Sequence, residues 1–244
     1  MARKTNVFKR ALRWFLWLLV KVLVTVFAIT FTSVLLLRWV HPWTSSIMVQ
    51  RKVEALLASD KDASLHYNWV NFDSISPHMA VAVIAAEDQR FPTHFGFDLH
   101  EIGKAIEAHG SGKKLRGAST ISQQVAKNLY LWEGGGFLRK GIEVYFTTLI
   151  EICWSKERIL EVYLNIAEMG EMTFGVGAAS EIYYKKEAAS LQASQAALLA
   201  AILPGPRIYS VKSPSSYTLK RKNWILRQMK NLGGPNYLNN LYSE

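Results

Sequence analysis

The chain has 244 residues, half of them hydrophobic, with a formal net charge of +10 and a pI near 9.6. That is enough for one domain of ordinary size plus additional segments, and the basic balance favours anionic partners: nucleic acid, anionic lipid or phosphorylated substrates. A single cysteine, Cys153, excludes an intrachain disulfide. Its neighbours Ile152 and Trp154 suggest core packing, and no Cys/His cluster has zinc-ligand spacing.

Residues 1–13 carry Arg3, Lys4, Lys9, Arg10 and Arg13 and no acid. Trp14 to Leu37 is then almost wholly apolar, interrupted by Lys21 and a few hydroxyls. At ~1.5 Å per residue this run spans about 36 Å, enough to cross a bilayer core. A transmembrane helix is therefore expected over 14–40. Lys21 can snorkel to the headgroups, and Trp14, Trp17, Trp39 and Trp43 lie where interfacial anchors would. The basic flank predicts a cytoplasmic tail over 1–13 and the remainder of the chain outside. A cleaved signal peptide fits poorly, because the run is long and no small-residue cleavage site follows. Residues 41–76 read as a juxtamembrane segment with a short helix around Met48 to Leu57, followed by a linker.

Residues 77–244 form the expected globular domain. Pro77 suits the first turn of a helix whose apolar run, Met79 to Ala86, ends in Glu87-Asp88. A carboxylate at the mouth of a buried helix can be partly desolvated, which raises its pKa and suits general acid–base chemistry. The same pair also fits a frayed, solvated helix end. Asp98 followed by Glu101 signals the cap of a helix over Leu99 to Ala108. Ser111 to Gly117 is a basic loop with Lys113, Lys114 and Arg116, either a phosphate-gripping lid or a solvated turn.

Ser119 can cap the next helix. Thr120, Gln124, Lys127 and Asn128 share one polar stripe, with Ile121, Val125, Leu129 and Trp132 on the opposite, buried one. Glycines 134–136 break the chain. A helix over Phe137 to Trp154 carries Arg139, Lys140 and Glu143 at ion-pair spacing. Ser155 can cap a further helix, Lys156 to Met169, in which Glu161 and Asn165 could brace a site. Ser194 to Leu203 reads as an Ala/Leu core helix, and Pro214 to Leu232 as a basic helix suited to anionic headgroups.

Five patterns together resemble the signatures of the peptidoglycan glycosyltransferases, glycosyltransferase family 51. They are Glu87-Asp88-x-x-Phe91-x-x-His94-x-Gly96-Phe97-Asp98, Gly117 to Asn128, Arg139-Lys140-x-x-Glu143, Lys156 to Asn165, and Gly175-Val176-Gly177-Ala178-Ala179-Ser180-x-x-Tyr183-Tyr184. The resemblance covers roughly residues 70 to 210. It implies a mainly α, lysozyme-like glycosyltransferase domain on an N-terminal transmembrane helix. The implied location is the bacterial inner membrane, single-pass, with the catalytic domain periplasmic. The implied reaction joins lipid II to a lipid-linked nascent glycan and releases undecaprenyl diphosphate. Larger members of the family continue into a transpeptidase domain, for which the chain leaves no room.

By resemblance, Glu87 and Glu143 are the catalytic carboxylates. Thr120, Gln124, Lys127 and Asn128 contact the donor and its phosphates, Lys127, Arg139 and Lys140 absorb the charge of the leaving diphosphate, Asp88 and His94 shape the site, and Phe91 completes the substrate-binding set. Glu87 is assigned as the base. Glu143 either positions Arg139 and Lys140 or holds a divalent cation, Mg or Mn, on the diphosphate; no organic cofactor and no resident protein-bound metal is expected. The membrane and other cell-wall synthesis or division proteins are the expected partners, and nucleic acid is not. Two alternatives use fewer of these residues: a wall-cleaving lytic transglycosylase needs no diphosphate-binding stripe, and a membrane-anchored scaffold needs neither carboxylate.

Overall fold

A computed structural model describes residues 2–60, 63–110 and 119–242. The chain divides into two compact units, Met1–Val40 and His41–Glu244. The first contains a single helix, α1 (Ala2–Leu36), so the basic tail is helical and continuous with the apolar run. Its stretch Lys9–Leu36 is long and apolar enough to cross a membrane. Most of its large apolar side chains, including Trp14 and Trp17, are exposed, and Lys21 Nζ lies 3.4 Å from the Trp17 ring centroid.

The second unit is almost entirely helical. It begins with α2 (Ser46–Leu57), close to the expected juxtamembrane helix. This segment is built into the unit rather than trailing from it. Arg51 is buried and pairs with Glu54, Glu133 and Glu168 at 3.0, 2.7 and 3.0 Å. These bonds hold the Arg51 guanidinium firmly protonated in spite of its burial. A two-residue strand, β1 (His66–Tyr67), then pairs in parallel with β2 (Thr173–Phe174).

At the centre lies α3 (Pro77–Glu87), started by Pro77 as expected. Met79 through Ala85 are all buried. A helix apolar on every face must be enclosed, and three elements enclose it: α9 (Ala193–Ile202), α10 (Ser216–Asn231) and the 3₁₀ segment Gly234–Tyr242. The small side chains of α9 let the two helices approach closely. On the other side α5 (Ile121–Tyr130) packs against α6 (Phe137–Cys153) and α7 (Lys156–Ile166).

Several boundaries differ from expectation for local reasons. Helix α5 is capped by Thr120, not Ser119: the Thr120 hydroxyl accepts from Gln123 N at 3.2 Å in a complete capping box. It ends at Tyr130, so Leu131 is buried and Trp132, expected in the core, is half exposed. Ser155 caps α7 as expected, but α7 stops at Ile166 because the chain turns back into β2, with Met169 N donating to Thr173 O at 2.8 Å. Helix α4 (Leu99–Gly110) is capped by Asp98, whose Oδ1 accepts from His100 N and Glu101 N. Glu101 pairs with Lys104 instead of closing a capping box.

Glu161 and Asn165 do brace, but away from the cavities that Glu87 borders. Asn165 accepts from Val70 N and donates to Val70 O, both at 2.8 Å, while Glu161 accepts from Phe72 N. Together they bind segment 70–72 to α7. Helix α8 (Gly175–Tyr184) packs behind it, and a Cβ at Gly177 would lie 2.4 Å from Asn68 O, so only glycine fits. Asn165→Ala would strand both Val70 groups in a partly buried setting. It is expected to cost about 2 kcal/mol or more, read as a Tm fall of roughly 4–8 °C; an unchanged Tm would show that this brace is dispensable.

Candidate active site

The C-terminal end of α3 delivers Glu87 to the floor of a cleft of about 650 Å³. Its side chain is 14% exposed. Gln124 Nε2 donates to Oε2 at 3.0 Å, and Arg221 Nη2 to Oε1 at 3.3 Å. Burial pushes the Glu87 pKa upward. The hydrogen bond from Gln124 and the nearby Arg221 pull the other way without cancelling that effect, and the charge of Asp88 adds to the rise. The amide of Gln124 is itself oriented: Tyr163 OH donates to its Oε1 at 3.1 Å, which turns Nε2 toward Glu87. Burial holds the Tyr163 hydroxyl well above its ordinary pKa, so it remains a donor.

The cleft walls come from three helices. Gln124 and Lys127 lie on one face of α5, Arg139, Lys140 and Glu143 on the first turns of α6, and Tyr217 and Arg221 on α10. Glu143 is nearly inaccessible: Arg139 Nη1 donates to its Oε2 at 2.8 Å, and Lys140 Nζ donates to its Oε1. Burial lowers the Lys127 pKa, while Glu133 and Glu143 oppose the fall. Among the described residues four cations therefore face two carboxylates, Glu143 being paired with Arg139 and Lys140 and Glu87 with Arg221. The remaining positive field suits an anion of more than one charge.

Six of the residues singled out in the sequence meet here: Glu87, Gln124, Lys127, Arg139, Lys140 and Glu143. The others do different work. Asp88 is buried, its Oδ1 3.0 Å from His94 Nε2 and its Oδ2 accepting from Ile121 N at 3.0 Å. Phe91 is fully buried, with Lys156 Nζ 4.7 Å from its ring centroid. The Thr120 hydroxyl donates to Gly96 O at 2.7 Å. Gly96 has φ +74°, and a Cβ there would lie 2.9 Å from Thr147 Cγ2.

The segment Phe91 to Asp98 is thus a packed turn that ties the end of α3 to the start of α5, and Phe91 offers substrate no surface. Asn128 is half-buried and does not line the cleft. Lys113, Lys114 and Arg116 lie outside the described residues. Glu87 also borders a second cavity of about 470 Å³, shared with Asp88, Arg90, Thr120, Lys104 and Trp224.

Arg221 is the cleft residue that sequence reasoning missed. The basic helix around it was legible, but its approach to Glu87 depends on α10 packing against α3, which no local pattern encodes. Among the described residues, no group of three or more His, Cys, Asp or Glu side chains could hold a metal ion.

The desolvated Glu87 has a consequence for stability. A carboxyl whose folded pKa lies above its unfolded value destabilises the fold when ionised; that penalty is absent below the unfolded pKa and complete above the folded one. Glu87→Gln is accordingly expected to raise Tm at neutral pH, with the gain shrinking as pH falls through the carboxylate range. Thermal unfolding at pH 7 and pH 4 reads this directly, and a lower Tm at neutral pH would contradict it.

Residues 54–230 match the family model described as Transglycosylase. Over 216 residues the chain is 53% identical to the biosynthetic peptidoglycan transglycosylase of Haemophilus influenzae, covering 88% of this chain and 87% of that protein. Over 230 residues it is 48% identical to the protein of the same name from Pseudomonas fluorescens, covering 94% and 95%. For that from Xanthomonas axonopodis pv. citri the figures are 47% identity with 94% and 93% coverage. The matched span contains Glu87, Glu143 and all four cleft cations, and its helical core is of the lysozyme-like kind: the chain belongs to the transglycosylase family.

Proposed function

We propose that the chain is a peptidoglycan glycosyltransferase that polymerises lipid II into β-1,4 glycan strands. The observation that carries this reading is a largely buried carboxylate, Glu87, set at the floor of a cleft lined by Lys127, Arg139, Lys140 and Arg221. A diphosphate is already a good leaving group, so the reaction needs cations more than a second acid. A wall-cleaving enzyme would have no use for four of them.

In the proposed step the acceptor sugar 4-hydroxyl oxygen attacks the donor anomeric carbon from the face opposite the lipid diphosphate. Glu87 takes the hydroxyl proton as the new C–O bond forms. The bond to the diphosphate breaks, its electron pair leaves with the phosphate oxygen, and the centre inverts from α to β. The cationic cleft takes the donor, and the smaller cavity on the other side of Glu87 takes the acceptor.

Glu143 acts by holding Arg139 and Lys140 toward the diphosphate. Because both of its oxygens are engaged by those cations, Mg or Mn would enter bound to the diphosphate rather than sit in a preformed protein site. Helix α1 anchors the enzyme in the inner membrane, N-terminus inside and catalytic unit on the periplasmic face, where both lipid-linked substrates are concentrated beside it. Contacts with other cell-wall synthesis or division proteins are compatible with that position.

Purified full-length protein in detergent is expected to convert lipid II into lysozyme-digestible polymer. Glu87→Gln should lower the rate by about 10²–10⁴-fold while remaining folded. Failure of the folded wild-type protein to make polymer would overturn the reading.

A further inference from the structure

The four cleft cations are not equally committed. Arg139 and Lys140 each hold an oxygen of Glu143, and these are close, charge-assisted bonds. Arg221 is held more loosely. Its Nη2 lies 3.3 Å from Glu87 Oε1 and 3.4 Å from Ala86 O, both longer than such bonds usually are. Its Nε is buried without a partner, as is that of Arg139, so the difference between the two lies in their Nη bonds. A guanidinium presents five donors in a planar fork matched to phosphate oxygens, and here that fork lines the cleft while its bonding capacity is mostly unused.

We propose that Arg221 is a donor-sensing residue: it rests on Glu87 until a diphosphate enters the cleft, then transfers its guanidinium to the phosphate oxygens and frees the base. This inference builds on the glycosyltransferase reading, which identifies the anion.

The consequence follows from what surrounds Glu87. The charged or polar groups facing it are Asp88 on the same turn, Gln124 and Lys127 from α5, Tyr163 from α7 and Arg221 from α10. Gln124 is fixed by Tyr163, and both are buried or nearly so. Arg221 is the cation bonded to Glu87, and while it stays there it lowers the carboxylate's affinity for a proton. Once it moves to the donor, one of the contributions opposing burial is lost and Glu87 becomes a still stronger base. The base is thereby armed when the donor is in place. Arg221 would contribute twice, to binding the leaving group and to the strength of the base.

The test uses full-length protein in detergent carrying ¹³C-carboxyl glutamate, with the Glu87 resonance assigned by its loss in Glu87→Gln. Its titration midpoint is followed with and without saturating inorganic pyrophosphate, in wild type and in Arg221→Gln. Without pyrophosphate, the midpoint is expected to be higher in Arg221→Gln than in wild type. Pyrophosphate should raise the wild-type midpoint by more than it raises that of the variant. It should also bind the variant more weakly, by about tenfold for the loss of one charged bond of about 1.4 kcal/mol.

Equal midpoints in the two free proteins would overturn the proposal. So would equal upward shifts, which would mean that the anion acts through its own charge alone. Should Arg221→Gln fail to fold, Arg221→Lys keeps the charge and loses the fork. It is expected to show weaker pyrophosphate binding and a smaller shift than wild type, and wild-type values for both would overturn the proposal. None of these readouts needs turnover. Polymerisation with no coupling would therefore sink this inference alone, and coupling without polymerisation would sink the functional reading alone.

Discussion

The structure depends on one costly placement: a carboxylate at the end of a helix that is buried on every side. Residues Met79 through Ala85 have no solvated face, so the helix that carries Glu87 can exist only at the centre of the unit. Its C-terminal end is where the core meets the cleft. An ionised carboxyl there loses much of its hydration, and among the described residues only two polar groups, from Gln124 and Arg221, offer a direct bond in return. Burial prevails, which is why the group is a stronger base than a surface glutamate. A site that tunes a base in this way loses some stability to do so.

The surrounding architecture holds that placement. Asp88, next in the chain, turns away from the cleft and bonds to the first amide of α5 while meeting His94. The same helix N-terminus is locked to the Phe91–Asp98 turn through Thr120 and Gly96. Helix α5 then presents Gln124 to Glu87 and Lys127 to the cleft, one turn apart. Behind it, Ser122 bonds to Glu151, and Lys156 ties Glu151 to the carbonyl of His94 at 2.8 and 2.5 Å. Many residues that the motifs display therefore fix the geometry of Glu87 and of the cleft cations. Glu143 shows the same division: its paired oxygens set where Arg139 and Lys140 stand.

Much of this was legible in the sequence because it is local. The apolar run ending in Glu87-Asp88, the Gln124 and Lys127 half of the polar stripe on α5 and the i+3 and i+4 spacing of Lys140 and Arg139 from Glu143 are all read within one or two turns and survive in the structure, whereas Thr120 is the buried cap and Asn128 lies off the cleft. What was not legible is tertiary. Phe91 lies in a motif with two catalytic-looking acids, yet full burial makes it a support, beside the site-shaping pair Asp88 and His94. Asn165 and Glu161 brace a segment nearly a hundred residues away, which no spacing rule identifies. Arg221 is one of several bases on a helix whose composition suggests headgroups, and only the packing of α10 against α3 brings it to Glu87. Thr120 displaced Ser119 as the cap because its hydroxyl and the Gln123 amide close a box that Ser119, one residue earlier, cannot reach.

The claim on which the account rests is that Glu87 works as a base made stronger by burial. The pH dependence of glycan polymerisation tests it most directly, with rates measured on full-length protein at saturating lipid II. The base must be deprotonated to accept the hydroxyl proton, so the rate should fall as pH drops through the folded pKa of Glu87. The midpoint of that acid limb should lie above the ordinary glutamate value of 4.5. An acid limb at or below 4.5, or a limb of the same midpoint in the residual activity of Glu87→Gln, would contradict the account.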